Sequence, residues 1–386
     1  MNDPVLLARS MAEAFEERAD LYDRTSKFPT ADIDDLRDAG LLGLMVPVSL
    51  GGMGASFASY AAVACELATG SGATALVFNM HASVTGALAT TPDDVARAFG
   101  ATESFFAARD EVLRGAAAGS LYQVAMSEAG AGSRFSQMTT TYEPEGNGWR
   151  IRGRKTFCTG AGYADAYLVV AKSVDGQRIS QFLVPRSEGI IVEQTWDSLG
   201  MRATASNDLI LELHAPHDAL LGGVEGLAPL LAQVMPQWLV ASYAAVYVGV
   251  AQAALHAATN QLIARGLAHL PAVRARVGRA DAATHAAWLV VAEAARRIDE
   301  APGVPDTNRW VYRAKLLAGE TAMSVAASMV EACGTSATRR GQPLERLFRD
   351  ARCGSLQPAT SDVCADWLGT AALGLDPDAD SAVPRW

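Results

Sequence analysis

Positive charge is in short supply along this chain of 386 residues. Lys and Arg number 32 against 42 Asp and Glu, and the formal net charge is −10. That deficit excludes a general nucleic-acid binder, because a phosphate backbone would be repelled. Cysteine is scarce as well. Cys65, Cys158, Cys333, Cys353 and Cys364 contain no CxxC pair, so no zinc spacing is offered, and an odd, scattered set reads as the reduced thiols of a cytoplasmic protein. The first residues, Met1-Asn2-Asp3-Pro4, have neither a basic nor an apolar segment, so no secretory signal is expected there. Uninterrupted apolar runs are missing too. The longest candidate, Trp238 to Ala258, carries Ser242, Gln252, His256 and two tyrosines. It fits a buried bundle helix better than a membrane span. Aromatics make up only 7% of the chain, and the abundant alanine suits closely packed helices.

What is present divides the chain into thirds, with no internal repeats. Residues 1–118 read as helical. Leu6, Leu7, Met11 and Phe15 mark one helix, and Thr30 offers an N-cap for a second that Gly40 stops. Residues 56–69 and 72–90 give two apolar helices. His81 lies on the second and reads as a core residue rather than a catalyst. Residues 119–222 turn to glycine, threonine and β-branched residues. Seven short strands are expected there, with hairpin turns at Asn147-Gly148 and Asp175-Gly176, making a small barrel or sandwich. Residues 223–375 are helical again, with a possible break at Pro236 and a linker at Ala301 to Pro305. Long helices with short connections make a bundle. The tail, residues 376–386, is acidic and contains proline, and is expected to be disordered.

One stretch of the middle third has the look of a ligand site. It runs Gln123-Val-Ala-Met-Ser-Glu-Ala-Gly-Ala-Gly-Ser, in which small residues and glycines let a backbone approach a flat or phosphorylated ligand. Nearby, Phe157 and Thr159 are two residues apart, and on a regular strand both would face one side.

These motifs, in this order, resemble the acyl-CoA dehydrogenase superfamily of flavoproteins. The resemblance is carried by Leu36-x-x-Ala-Gly-Leu, Val46-Pro47 and Gly51-Gly52-x-Gly54. It continues through Ser127-Glu128-x-x-x-Gly132-Ser133 and Gly153-x-Lys155-x-Phe157-x-Thr159. It ends with Leu199-Gly200-Met201-Arg202, His214-x-Pro216 and Arg346-x-x-Arg349-Asp350-Ala351. It implies a mainly α chain with a central β domain: an N-terminal helical domain, a small β barrel and a C-terminal four-helix bundle. It also implies bound FAD. Met126, Ser127, Gly132 and Ser133 would line the flavin and its diphosphate, Phe157 would cover a ring face, and Thr159 would bond its edge. Glu331, Gly334 and Thr335 fall near a turn that the family uses around the flavin, and Thr360 and Asp362 at further polar contacts. A homo-oligomer, dimer or tetramer, would complete the site, although the family's Arg-x-x-Phe-Gly motif is not recognisable near Arg265-Gly266.

The family's reaction needs a general base for the α proton of an acyl thioester, on CoA or a carrier protein. The two positions that supply its glutamate correspond here to Pro358 and Leu239, and neither can accept a proton. Tyr243, one helical turn beyond Leu239, is the candidate for a relocated base, with Asp362 and Glu331 as others. Arg134 replaces the usual aspartate and is a candidate for a substrate phosphate or carboxylate. Arg339 and Arg340 are another basic pair. Dehydrogenation of a thioester or related small substrate, with an acceptor protein, is the leading expectation. A monooxygenase using reduced flavin and O2 is the alternative, although its usual histidine near Gln357 is absent, and a non-catalytic paralogue is the third reading.

Overall fold

The computed structural model describes residues 3–379. Among these, six helices come first: α1 (Pro4–Thr25), α2 (Thr30–Asp38), α3 (Phe57–Gly70), α4 (Gly72–Thr90), α5 (Asp93–Ala98) and α6 (Glu103–Ala117). Seven strands follow: β1 (Tyr122–Ala125), β2 (Thr141–Glu145), β3 (Gly148–Cys158), β4 (Ala166–Ser173), β5 (Ile179–Pro185), β6 (Ile190–Glu193) and β7 (Asn207–Pro216). The chain then returns to helix: α7 (Ala228–Val234), α8 (Ala241–Ala264), α9 (Pro271–Glu300), α10 (Pro305–Cys333), α11 (Pro343–Cys353) and α12 (Ser361–Ala372).

Helix starts follow the local chemistry. Asp3 caps α1 by accepting from the Val5 N–H at 2.9 Å, and Pro271, Pro305 and Pro343 open helices where a missing N–H costs nothing. Thr30 differs from expectation. It is the first residue of α2, Pro29 holds the cap position, and no side chain closes it. Pro236 does break the helix: a 3-10 turn over Pro236–Trp238 separates α7 from α8.

The strands form one curled sheet rather than two packed sheets, in the order β1-β4-β2-β3-β7-β6, with β5 also on β4. β4 runs parallel to β1 over Ala166 to Val169 and to β2 over Lys172 and Ser173, with β5 antiparallel along its length. Tyr142, Trp149 and Phe182 fill the interior with edge and tilted ring contacts at 4.9–5.7 Å.

α8 is the hub of the helical layers, packing on α3, α4, α9, α10 and α11. Among the described residues two helical stretches, Pro236–Ala264 and Pro305–Cys333, are long and apolar enough to cross a membrane, yet 78% of the apolar window of the first and 44% of that of the second lie buried inside the protein. His81 ties α4 to the sheet. Its Nδ1 accepts from the Tyr122 N–H at 3.0 Å, and its Nε2 meets Leu42 O at 2.7 Å. Burial pushes its pKa down to about 4, so the ring stays neutral and structural at pH 7. At the far end Asp378 accepts from Trp367 Nε1 at 3.1 Å. The rest of the tail expected to be disordered, residues 380–386, lies outside the described residues.

Candidate active site

β1 delivers the chain into the ligand-like stretch. Met126 is buried, Ser127 half-buried, and the backbone then turns through Gly130 at φ +79° and Gly132 at φ +60°. A Cβ built on either glycine would meet nothing within 4 Å, so the backbone fronts open space. Gly132 does not offer its own N–H, which donates to Glu128 O at 2.8 Å while Glu128 N donates back to Gly132 O at 2.9 Å. The loop is closed by this pair, and the half-buried Ser133 follows it.

What holds the loop is a buried ion pair. Glu128 Oε1 accepts from Lys155 Nζ at 2.7 Å and from Thr140 N at 3.1 Å. Its Oε2 accepts from the Thr139 N–H and hydroxyl, both at 2.7 Å. Lys155 Nζ also donates to Met126 O at 3.2 Å. Burial opposes the charge, but the Lys155 ammonium and the Thr139 donors outweigh it and hold Glu128 down to about 2. Neither partner was assigned a role on sequence grounds. The signal available was a lysine on a strand beside a strictly apolar alternation.

Phe157 stands out physically. Its backbone sits at φ +56° and its side chain is 68% exposed. The register of β3 against β7 shifts between Lys155 and Cys158, and such a bulge re-aims a side chain out of the regular alternation. Phe157 and Thr159 therefore do not share a strand face as expected. Thr159 lies past the end of β3, buried, with its hydroxyl 3.1 Å from Ser206 Oγ, and that oxygen lies 2.7 Å from Thr204 Oγ1. The Phe157 ring meets Trp196 edge-on, 6.0 Å between centroids and 89° between planes. A left-handed non-glycine residue costs about 1–3 kcal/mol and persists where function requires it.

This structure fits a flavin in three respects: an exposed aromatic face at Phe157, a loop with room for a phosphate at Gly130 and Gly132, and a buried Thr156 hydroxyl without a hydrogen-bond partner beside Phe157. Phe157→Gly is expected to relieve the backbone and stabilise the unliganded fold by about 1 kcal/mol. It should weaken flavin binding by about tenfold, the equivalent of one lost ring contact of about 1.4 kcal/mol. Urea unfolding and fluorescence titration with flavin would check the two halves.

Other sequence candidates are placed elsewhere. Glu331 forms an ion pair with Arg276 at 2.5 Å, and Gly334 and Thr335 follow at the exposed end of α10. The Thr360 hydroxyl caps α12, accepting from the Val363 N–H at 3.3 Å. Thr360 and Asp362 border a surface cavity of about 480 Å³ that also touches Glu320 and Arg352. Arg134 turns back on its own loop, donating to Ala131 O at 3.1 Å and Gly130 O at 3.2 Å. That engagement argues for a loop-closing arginine. Arg340 pairs with Glu345 at 3.1 Å.

Two further elements carry the polar groups near Leu239 and Pro358. On α8, the Tyr243 hydroxyl lies 3.5 Å from Met80 Sδ, and Tyr247 donates to Gln357 Oε1 at 2.6 Å. Burial pushes both phenols above their ordinary range. Opposite them, Lys315 reaches from α10 into the 354–359 loop and donates to the carbonyls of Gly354 (2.8 Å), Gln357 (3.1 Å) and Ala359 (2.9 Å). Burial pushes this lysine down to about 8. A second cavity, about 450 Å³, opens between α4, α5, α7 and the sheet, with Leu239 and Trp238 in its wall.

Comparison with known proteins decides the family. Residues 6–98, 123–213 and 241–360 match, in turn, the N-terminal, middle and C-terminal domains of acyl-CoA dehydrogenase. The chain is 30% identical to "Putative acyl-CoA dehydrogenase YdbM" of Bacillus subtilis, over 94% of both chains. The chain belongs to the acyl-CoA dehydrogenase family. It is 29% identical to L-evernosamine nitrososynthase of a Micromonospora species, over 97% of this chain and 90% of that protein. Among solved structures, KijD3 in complex with FMN and a dTDP-linked amino-keto sugar superimposes with a TM-score of 0.85 at 26% identity, covering 98% of this chain and 96% of that one.

The protein is thus a flavin-dependent oxidoreductase with the acyl-CoA dehydrogenase fold. Near Leu239 and Pro358, the positions that the motif resemblance pairs with the family's glutamate, the polar groups are two phenols of suppressed acidity, an amide and a lysine bound to carbonyls.

Proposed function

We propose that the protein is a monooxygenase that uses reduced flavin and O2 to oxidise a small molecule. The observation that carries this reading is the lack of a proton acceptor at Leu239 and Pro358. The α,β-dehydrogenation of a thioester needs a base worth about 10²–10⁴ in rate, whereas oxygen insertion removes no α proton. Reduced flavin supplies two electrons, one oxygen atom enters the substrate, and the other leaves as water. In this reading the Phe157 ring supports the flavin plane, and Ser127 and Thr159 bond its polar edge. The open backbone at Gly130 to Ser133 receives its phosphate. The apolar wall at Leu239 and Trp238 keeps water from the reacting face.

The flavin is taken to be FMN rather than the FAD of the motif resemblance. Support for FMN comes from the KijD3 complex, which holds FMN and is 26% identical over 98% of this chain. The mass of the flavin that copurifies or titrates in decides between them. The same reading makes the protein cytoplasmic and a homo-oligomer, in which a second subunit would cover the exposed Glu331 to Thr335 turn.

The direct test is a pair of reactions. Butanoyl-CoA added anaerobically to the oxidised holoenzyme should leave the yellow colour unchanged. Reduced FMN supplied by a separate reductase should drive substrate-dependent oxygen incorporation, followed with ¹⁸O2. Bleaching by butanoyl-CoA would restore the dehydrogenase reading. Tyr243→Phe bears on the same choice. A phenol held protonated serves as a donor or a wall, so turnover should change by no more than about threefold. A fall of about 10² or more would make Tyr243 the relocated base after all.

A further inference from the structure

We propose that the 450 Å³ cavity beside α4 is the substrate site and that it selects an uncharged, largely apolar molecule the size of two or three fused rings. A CoA thioester or a nucleotide-linked sugar is the wrong ligand for it. The inference deepens the monooxygenase reading, on which it rests for the fate of the ligand but not for its binding.

None of the residues that line the cavity carries an ionisable side chain, in a chain with 74 charged residues by the sum of 32 and 42. Its hydroxyls are already engaged. Ser83 Oγ donates to Trp238 O at 2.7 Å, Thr90 Oγ1 to Gly86 O at 2.7 Å, and Thr91 Oγ1 to Ala87 O at 2.7 Å. One uncharged polar side chain remains in the lining, the Gln181 amide. A cavity with an apolar wall and one directional contact suits a ring system bearing a single polar atom. Its volume lies within the range of about 300–1,000 Å³ typical of small-molecule sites.

The mouth points the same way. Val95, Phe99, Val234 and Val304 line the cavity and are exposed, so apolar surface continues to the opening. The charges beside it are acidic or already matched. Asp93 pairs with Arg109 at 2.6 Å, Arg97 pairs with Glu103, and Asp94 is exposed next to them. A polyanion such as CoA would lose hydration on entering and gain no cation in return. Leu239 stands in its wall, and Val124, also in the wall, lies two residues before Met126.

The test is calorimetric and needs no turnover. Full-length protein is titrated with 2-naphthol, butanoyl-CoA, free CoA and dTDP. The expected result is saturable binding of 2-naphthol and none that competes with it from the other three. Ala87→Phe fills the cavity and Val234→Trp narrows its exposed mouth. Each should weaken 2-naphthol binding by about tenfold or more while leaving flavin affinity unchanged. Butanoyl-CoA that displaces 2-naphthol, or 2-naphthol binding indifferent to both substitutions, overturns the proposal. If 2-naphthol binds as described but is never oxygenated, the site assignment stands and the monooxygenase reading falls.

Discussion

Arg349→Met is expected to cost the fold about 3–5 kcal/mol, the range for breaking a buried ion pair from one side. Arg349 on α11 grips Asp23 of α1 through two parallel bonds, 2.9 Å from NH1 to Oδ1 and 2.6 Å from NH2 to Oδ2. It also donates to Leu199 O at 2.9 Å and to Glu345 at 2.7 and 2.9 Å. Both Arg349 and Asp23 are buried. A methionine would leave the Asp23 carboxylate in the interior without its fork of donors. The neighbouring Asp350, which accepts from Met201 N at 2.6 Å, is already pushed up to about 6 by burial, so another uncompensated carboxylate there is poorly tolerated. The triple contact also joins the N-terminal helices, the end of the sheet and the C-terminal bundle, so all three should lose cooperativity together. Urea unfolding followed by tryptophan fluorescence would measure it. Arg349→Lys keeps the charge but not the fork and should fall between the two. Pairing Arg349→Met with Asp23→Leu should recover part of the loss. A loss below about 1 kcal/mol in Arg349→Met would show that the pair behaves like a surface salt bridge.

Much of this architecture is legible in local patterns, and the reason it stops being legible is equally local. Seven strands form within the third of the chain that alternation and hairpin turns mark out, and Pro236 interrupts its helix because a ring cannot donate an N–H. Curling into one sheet is different. It depends on β4 sharing one edge between β1 and β2, a pairing that no short window encodes. Within the candidate site, the motif residues Met126 to Ser133 are found on one glycine turn, where Gly132 closes the loop instead of offering an N–H. The same limit applies to Phe157 and Thr159. Period-two reasoning assumes an unbroken strand, and the bulge between Lys155 and Cys158 removes that assumption. Lys315 leaves a fainter trace. It sits among Val311, Ala318 and Ala322, on the buried stripe of α10, so helical periodicity marks it as interior but says nothing of the three carbonyls it binds. The apolar cavity leaves none, because its wall is assembled from α4, α5, α7, β1, β4 and β5, segments that lie far apart in the chain.

Glu128→Gln should separate folding of the body from competence of the flavin loop. The substitution keeps the shape of the side chain but leaves Lys155, whose side chain is fully buried, without a counter-charge. The loop from Met126 to Thr140 is tied to β3 through this pair and through the Thr156 N–H, which donates to Ser127 O at 2.8 Å. The site should therefore loosen before the rest of the fold, and flavin affinity should fall by more than tenfold. The pH dependence distinguishes this from a general loss of packing. Glu128 is held at about 2 in the folded protein against an ordinary 4.5, a depressed value. Its contribution is therefore complete above about pH 4.5 and is lost as pH falls toward about 2, for a total of about 3 kcal/mol at about 1.36 kcal/mol per pH unit. Wild type should hold flavin evenly from neutral pH down to about 5 and release it in the acid window below. Glu128→Gln should bind more weakly throughout and lack that step, since it has no carboxyl to protonate. The quantity to measure is the difference in flavin affinity between the two proteins at each pH, because other carboxylates titrate in both. A difference that stays constant from pH 7 to pH 3 would mean that the Glu128 charge does not hold the loop.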